Sequence, residues 1–281
     1  MTDNTGAKER YDLPLALDSD HNLDAWEVRW LWSFIHGDIM DVQVRNRLRT
    51  HWGFCSRHAW GYAVIEIELW QAGAGKRGGH QPFDVGILYG DLLESMRGYL
   101  ARGRRGSRGK TLESHGSCMA CDDLRGPELA GIIVTHAGFN SLALAQEANQ
   151  LTHTREWFDE TRDQWTDRVC PDCATASRIG TGSHALRCRP HLIKAGAFDD
   201  DTVGSVVEHL ADLQARLFAL VESMTQKGRP STPTDDASWV EALGWFHGWD
   251  FPLAVLAGGD PHPIPQAAHA PLARPSTPAD A

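Results

Sequence analysis

Residues 170–191 read CPDCATASRIGTGSHALRCRPH. Two pairs of metal donors, Cys170/Cys173 and Cys188/His191, frame this stretch, and two residues separate the members of each pair. That spacing lets one tight turn present two donors to a single tetrahedral ion, and two such pairs close in sequence are typical of a closed zinc site. The small, polar loop between the pairs suits wrapping around an ion better than packing in a core. The stretch therefore predicts a four-coordinate metal site around which the rest of the chain is organised.

Two further pairs with the same spacing lie upstream. They are Cys55/His58 in GFCSRH and Cys118/Cys121 in SCMACD, and no cysteine of the chain is left over. By elimination these four donors make a second site that closes a loop of about sixty residues. The sequence leaves open a swapped pairing in which Cys118/Cys121 joins Cys188/His191. The sequence thus predicts which eight residues bind metal more firmly than it predicts which pairs share an ion.

The donor chemistry favours two zinc ions. As paired, each site offers three thiolates and one imidazole, which is a standard composition of structural zinc sites. An iron–sulfur cluster is the alternative, because thiolates also hold these clusters, but four cysteines are the usual set and neither site has four. Free or redox-active thiols are the third interpretation. A closed set of four ligands leaves zinc no open position, so we expect the metal to stabilise the fold.

The composition is that of a soluble globular protein. Of 281 residues, 42% are hydrophobic and 23% are charged, which excludes wholesale disorder. The formal charge of −10 argues against a surface devoted to nucleic acid. The first residues, MTDNTGAKERYDLP, contain no apolar stretch, and no apolar run is long enough to cross a bilayer. We therefore expect a cytoplasmic protein without membrane contact, in which the cysteines stay reduced and available to metal.

Apolar periodicity predicts a mainly α fold, a helical bundle or a set of hairpins stapled by the two zinc knuckle sites. The clearest helical period runs from Val203 to Met224, and Asp199 to Asp201 offer N-capping carboxylates before it. Residues 153–168 are predicted to form one polar amphipathic helix. The predicted units are a flexible N-terminus (1–24), a first helical and knuckle unit (25–100), a basic Gly-rich loop (101–116), a second helical and knuckle unit (117–228), a linker with a short aromatic helix (229–257) and a disordered tail (258–281).

The knuckle GFCSRHAW, the preceding Arg45 and Arg47, and the alternation of Cys-x-x-Cys with Cys-x-x-His carry a family resemblance. The chain resembles uncharacterised bacterial proteins in which a CxxC knuckle, a helix running from acidic residues to arginines, and a GFCxxH knuckle occur twice. The similarity covers roughly residues 30–195, with IHGDIMDVQVRNRLRTHWGFCSRH as the first unit. The pairs Cys118/Cys121 and Cys188/His191 look like the second unit. The resemblance implies a metal-dependent helical structure and no established activity.

The chain departs from this family pattern at two places. No CxxC precedes Cys55, and an additional CPDC stands at 170–173. If the extra pair replaces the missing one, the resemblance implies that Cys55/His58 pairs either with Cys170/Cys173 or with Cys118/Cys121.

We interpret the chain as a cytoplasmic zinc-binding module with a binding or regulatory role, whose partner is an unknown protein or small molecule. One alternative is a metalloenzyme of bacterial specialised metabolism, with Glu66 or Glu68 as a general base beside an accessible metal. We favour a simpler role for these two carboxylates, in ion pairs with arginines; the candidates are Arg29, Arg45 and Arg47. Asp38 and Asp41 are expected to cap the helix that carries these arginines.

The second alternative is a nucleic-acid-binding protein. Its phosphate contacts would come from the basic stretch, whose cations are Arg97, Arg102, Arg104, Arg105, Arg108 and Lys110. No aromatic residues are interleaved with these cations, so a solvated linker is the simpler interpretation. The sequence contains no nucleophile elbow, zincin helix, P-loop or dinucleotide fingerprint, and it therefore identifies no catalytic residue.

Overall fold

The computed structural model describes residues 22–69, 80–103, 108–125, 140–178, 180, 182, 186–196 and 198–257. Within these ranges the chain is helical and has no β-strand, which confirms the predicted mainly α fold. The predicted N-terminal segment up to residue 21, residues 104–107 of the basic loop and the predicted tail from residue 258 lie outside the described residues. No helix in the described part of the chain is both long and apolar enough to cross a membrane.

We number the described α-helices in chain order. They are α1 (Ala25–Ser33), α2 (Val42–His51), α3 (Ser56–Glu68), α4 (Phe83–Arg102), α5 (Met119–Arg125), α6 (Ser141–Ala148), α7 (Thr152–Glu160), α8 (Arg162–Trp165), α9 (Pro171–Ala176), α10 (Arg189–Ala195), α11 (Asp200–Ser223), α12 (Pro233–Asp236), α13 (Ser238–His247) and α14 (Asp250–Leu256). A π-helix (Phe34–Asp38) extends α1, and 3₁₀-helices lie at Arg108–Leu112 and Thr166–Arg168. Most of these helices are short, so packing rather than local propensity must stabilise them.

Helix α11 carries the predicted apolar stripe and packs against α4. The stripe is buried at Val203, Val206, Leu210, Leu213, Leu217, Leu220 and Val221. Asp199 accepts the backbone N–H of Thr202, which confirms the predicted acidic N-cap. Glycines let the two helices approach closely, because a Cβ at Gly86 would lie only 2.5 Å from the side chain of Val221. The longest helices thus form one tightly packed pair.

Helix α3 lies in the core and is buried from His58 to Glu68. The carboxylate of Glu66 accepts the backbone N–H groups of Asp84 and Val85, at 2.5 and 2.8 Å. The carboxylate of Glu68 accepts the N–H of Thr154 at 2.7 Å. The predicted ion pairs of Glu66 and Glu68 with arginines are therefore wrong. These carboxyl groups instead cap α4 and α7 by accepting free N–H groups of their first turns. Burial, and next the nearby charge of Asp84, raise the pKa of Glu66 well above its usual value, and the backbone hydrogen bonds offset only part of this rise.

Aromatic side chains of α13 and the residues after it close the core. Trp239 stacks on Phe158 of α7 with 5.6 Å between ring centroids, and Trp249 stacks on Trp165 of α8 at 5.9 Å. All four rings are buried. These stacks hold the segment that leads directly into Cys170.

Residues 153–168 do not form the single helix that their pattern predicts. Helix α7 ends at Glu160, Thr161 takes φ −103° and ψ 7°, and α8 and a 3₁₀-helix follow. The Thr161 hydroxyl donates to the carbonyl oxygen of Trp157 at 2.6 Å. A threonine that bonds back to the preceding turn favours a bend in a helix. Phe158 and Trp165, on either side of this bend, are both fully buried.

Candidate metal centres

The four donor pairs share one local geometry. In each pair the first donor precedes a helix and the second lies in the first turn of that helix. The pairs are Cys55 and His58 at α3, Cys118 and Cys121 at α5, Cys170 and Cys173 at α9, and Cys188 and His191 at α10. Residues three apart lie on the same side of a helical turn, so both donors face one point. The positive end of each helix dipole also favours a thiolate over a thiol.

Site I consists of Cys55, His58, Cys118 and Cys121, whose donor atoms all lie within 4.8 Å of one another. The Nδ1 atom of His58 lies 3.3, 3.7 and 3.4 Å from the sulfur atoms of Cys55, Cys118 and Cys121. The sulfur atoms of Cys55 and Cys121 are 3.8 Å apart. Zinc–sulfur bonds of about 2.3 Å and a zinc–nitrogen bond of about 2.0 Å separate tetrahedral donors by about 3.5–3.8 Å. The donors of site I therefore fit one tetrahedral ion.

A left-handed turn positions the first donors of site I. Asp41 is the N-cap of α2, and its side chain accepts the N–H groups of Gln43 and Val44, which confirms the capping role predicted for Asp41. The C-cap residue Trp52, directly after the helix, has φ +60°, and Gly53 follows with φ +94°. Glycine adopts the second conformation without strain, so the Gly in GFCSRH serves the turn that delivers Cys55. The side chain of Asp38 lies outside the described atoms.

A carboxylate contacts the histidine of site I at the ring nitrogen that faces away from the thiols. The Nε2 atom of His58 lies 3.2 Å from an oxygen of Glu27, while Nδ1 faces the thiols. Arg57 donates to both oxygens of the same carboxylate, at 2.5 and 2.7 Å. Burial alone would raise the pKa of Glu27, but hydrogen bonds from Arg57 and His58 bring this pKa down to about 2. An ionised carboxylate at this position fixes the tautomer and the ring orientation of a metal-binding imidazole.

Site II consists of Cys170, Cys173, Cys188 and His191, and its donor atoms also lie within 4.8 Å of one another. The Nδ1 atom of His191 is 3.4 Å from the sulfur atoms of Cys170 and Cys173 and 3.2 Å from that of Cys188. The sulfur atoms of Cys173 and Cys188 are 3.9 Å apart. The structure thus groups the eight donors in the pairing that the spacing favours, and the swapped pairing of Cys118/Cys121 with Cys188/His191 is not the observed one.

The thiols within each site change one another's acidity. In site I, hydrogen bonding between Cys55 and Cys118 lowers the pKa of Cys55 to about 3 and raises that of Cys118 far above its usual value. In site II, hydrogen bonds from the neighbouring thiols hold the pKa of Cys170 well below its usual value, and that of Cys188 is raised. The contacts within each site therefore favour ionisation of one thiol before the others. A bound cation would stabilise the others, because a coordinating thiol is deprotonated.

The surroundings of site II differ from those of site I. No carboxylate of the described residues contacts His191. Arg189, inside the CRPH motif, is only 6% exposed. Its guanidinium donates to the carbonyl oxygens of Phe246 and Leu112, at 3.0 and 2.8 Å, and to the hydroxyl of Ser114 at 2.9 Å. Site II therefore has a buried cation beside it, where site I has a carboxylate.

Sequence reasoning missed the residues that support the sites. Glu27 lies 31 residues before His58, and only the N-terminal Asp24–Glu27 capping box marks it. Tyr89 and His247 form a buried hydrogen bond of 2.7 Å although 158 residues separate them. No motif signals such contacts. The one available signal was the arginine inside each Cys-x-x-His knuckle, CSRH and CRPH.

The arginines of α2 are engaged by carboxylates. Arg45 and Arg49 lie 3.6 and 2.7 Å from Asp91, and Arg47 lies 3.8 Å from Asp122. Ion pairing of this kind reduces the positive charge that a phosphate backbone would meet. Two cations of the predicted basic stretch lie outside the described residues, namely Arg104 and Arg105.

Comparisons with known proteins leave these two sites as the basis for any functional inference. No family model, curated protein or solved structure matches the chain. The similarity to bacterial knuckle proteins therefore stays a prediction from the motifs.

Proposed function

We propose that this chain binds two zinc ions, one at site I and one at site II, and that both ions stabilise the helical fold of a cytoplasmic binding or regulatory module. The observation that carries the proposal is the gathering of all six cysteines and two histidines into two sets of four donors. Three thiolates and one imidazole at tetrahedral separations are the donor set of structural zinc.

A structural role follows from the number of protein donors. Four ligands from the chain complete the coordination of zinc, whereas catalytic zinc keeps one position for water or substrate. Zinc binding of this kind contributes directly to folding, since the unfolded chain offers no preformed site. The metalloenzyme alternative would require one of the eight donors to leave its ion. The carboxyl groups that this alternative would use as a general base, Glu66 and Glu68, accept backbone N–H groups at the starts of α4 and α7.

If both metal ions are fully coordinated by the chain, a partner would bind to exposed residues at the surface. Met40, in the turn that leads into α2, and Val42, the first residue of α2, are 73% and 70% exposed, and Trp26 of α1 is 57% exposed. Large apolar side chains at this exposure are the kind of group that a protein or small-molecule partner covers. The turn lies one helix away from the Cys55 knuckle, so zinc at site I would help to hold it in place.

The test is metal analysis combined with unfolding. The purified chain should contain two zinc ions and show no visible absorbance. A strong chelator should release both ions and abolish the cooperative thermal transition, and added zinc should restore it. Bound iron with charge-transfer absorbance, or a chelator-treated chain that keeps its thermal midpoint, would contradict the proposal.

A further inference from the structure

A buried arginine beside site II has no acidic partner. Within the described part of the chain, the contacts of Arg189 are with two carbonyl oxygens and one hydroxyl, and none is with Asp or Glu. Its side chain is buried, and an arginine guanidinium stays charged at neutral pH. A buried charge is normally paired with an opposite one, because leaving water is costly for an ion.

Other arginines of limited exposure show the usual solution. The side chain of Arg216 is 11% exposed and lies 2.7 Å from the carboxylate of Glu241. The side chain of Arg45 is also 11% exposed and pairs with Asp91. Arg57, the arginine of the site I knuckle CSRH, stands one position nearer its histidine than Arg189 and is bound to Glu27. Arg189 differs from all three in having only neutral hydrogen-bond acceptors.

Site II itself supplies the missing negative charge when it is filled. Three thiolates and one divalent ion leave a single net negative charge on the centre. Arg189 follows Cys188 directly in the chain, and it is the only residue between Cys188 and His191 besides Pro190. Its three acceptors belong to Phe246, Leu112 and Ser114, which fix the guanidinium from outside the site.

We propose that Arg189 is the buried counter-cation of metal-bound site II, and that its positive charge strengthens the binding of a divalent ion by the three thiolates. This inference rests on the proposed function. The arginines of the two knuckles then have different roles. Arg57 holds the carboxylate that contacts His58, whereas Arg189 offsets the net negative charge of the metal-bound site II.

The test measures zinc occupancy at each site separately in the full chain. The protein is equilibrated at a series of chelator-buffered free Zn²⁺ concentrations, free thiols are alkylated in a short pulse, and peptides are quantified by mass spectrometry. Cys170, Cys173 and Cys188 report site II, and the other three cysteines report site I. The neutral variants are Arg189→Met and Arg189→Gln. Arg189→Lys keeps the charge, and Ser114→Ala removes one hydrogen-bond partner while the charge stays.

Arg187→Met is the matched control. Arg187 is also next to Cys188, but its side chain is 47% exposed and pairs with Asp172 at the surface. We expect the neutral Arg189 variants to need about 10- to 100-fold more free zinc to protect site II, the range seen when partners outside the coordination shell are lost. Site I should shift much less, and Arg189→Lys, Ser114→Ala and Arg187→Met should stay close to the wild type.

Three results would overturn the inference. In the first, Arg187→Met raises the free zinc needed to protect site II as much as Arg189→Met does. In the second, Arg189→Lys and Ser114→Ala weaken zinc binding at site II as much as the neutral variants do. In the third, the neutral variants weaken zinc binding equally at site I and site II. If the neutral variants do not fold even with saturating zinc, Arg189→Lys decides. Retained site II affinity in this variant supports a role of the charge, and lost affinity overturns it. Zinc that protects neither site in the wild type would instead refute the proposed function.

Discussion

Site I and site II use the same donor set but are assembled in different ways. Site II takes all its donors from the 22-residue stretch 170–191. Site I joins Cys55 to Cys121 across 66 positions and depends on the packing of α1, α3 and α5. Closing a long loop costs more chain entropy than closing a short one. The comparison teaches that site II can organise its own stretch, whereas site I forms only when the surrounding helices are in place.

The groups behind the donors differ as well. In site I the ionised carboxylate of Glu27 holds the imidazole of His58 and is itself held by Arg57. In site II the imidazole of His191 has no such partner within the described residues, and the buried cation Arg189 directly follows the ligand Cys188 in the chain. One centre is thus supported through its histidine and the other, as we infer, through its net charge.

Loss of a ligand should have the largest effect, and it should be unequal between the sites. Cys121→Ala should lose the zinc of site I and keep that of site II. Cys188→Ala should lose site II, expose the apolar face of α11, and thereby also loosen the helices on which site I depends. Structural zinc contributes about 10–16 kcal/mol in small domains, which is as large as the usual stability of a whole domain, about 5–15 kcal/mol. Metal content and thermal unfolding check the prediction. One zinc ion retained in both variants would contradict it, because each site would then form without the other.

Glu27→Gln should act on site I alone. The amide cannot carry the charge that orients the imidazole of His58, so zinc affinity at site I should fall about 10- to 100-fold. Glu156→Gln is the control, since Glu156 contacts His153 at 3.0 Å at the surface and away from both sites. Site-resolved alkylation measures both affinities. An equal decrease at sites I and II would show that Glu27 acts only through general stability.

Removal of a helix cap should separate fold stability from ligand support. Asp41 caps α2, which leads into site I, and Asp199 caps α11, which follows site II. Asp41→Ala and Asp199→Ala should each lower the free energy of unfolding by about 1–2 kcal/mol. Neither should change zinc affinity in the folded chain. Denaturant titration measures the change in stability, and chelator competition measures the zinc affinity. A selective loss of zinc from site I in Asp41→Ala would mean that α2 also contributes to zinc binding at that site.

The smallest effect concerns a histidine near both centres. His247 shares a hydrogen bond of 2.7 Å with the hydroxyl of Tyr89, and a Cβ at Gly53, before Cys55, would lie 3.2 Å from its Nε2. Burial and the charge of Arg189 lower the pKa of His247 well below its ordinary value. His247 therefore takes up a proton near pH 6.5 only in the unfolded chain. Its contribution to the free energy of unfolding is present above that pH and is lost as the pH falls.

From pH 6.5 to 5.5 this histidine should remove about 1 kcal/mol of stability. The measurement is the pH dependence of unfolding in the wild type and in His247→Gln, in which the slope should be shallower by about half a proton at pH 6.5 and by nearly one at pH 5.5. Because both proteins share the metal ligands, acid release of metal affects them alike. Identical slopes would mean that His247 takes up a proton equally in the folded and unfolded chains.

Local patterns predicted local structure well in this chain. The apolar period from Val203 to Val221, the acidic caps and the placement of His58 in the first turn of a helix depend on neighbours within a few residues. The donor spacing likewise predicted two groups of four. These features could be read from the sequence because their partners are close in the chain or share a motif.

Contacts between distant elements could not be predicted in the same way. Glu66 and Glu68 were assigned to arginines, but their partners are backbone N–H groups at the starts of α4 and α7. Backbone donors are present at every residue, so the sequence does not mark which of them lie nearby. Glu27, Arg189 and His247 were missed for the same reason, since each gains its role only when the helices pack.

Metal stoichiometry tests the central claim most directly. Elemental analysis of the purified wild type, Cys121→Ala and Cys188→Ala proteins should give two zinc ions, one zinc ion and less than one zinc ion per chain. Such a series would establish two four-donor zinc sites, of which site II is the one that forms independently. Iron in the wild type, or two zinc ions retained after loss of either cysteine, would contradict it.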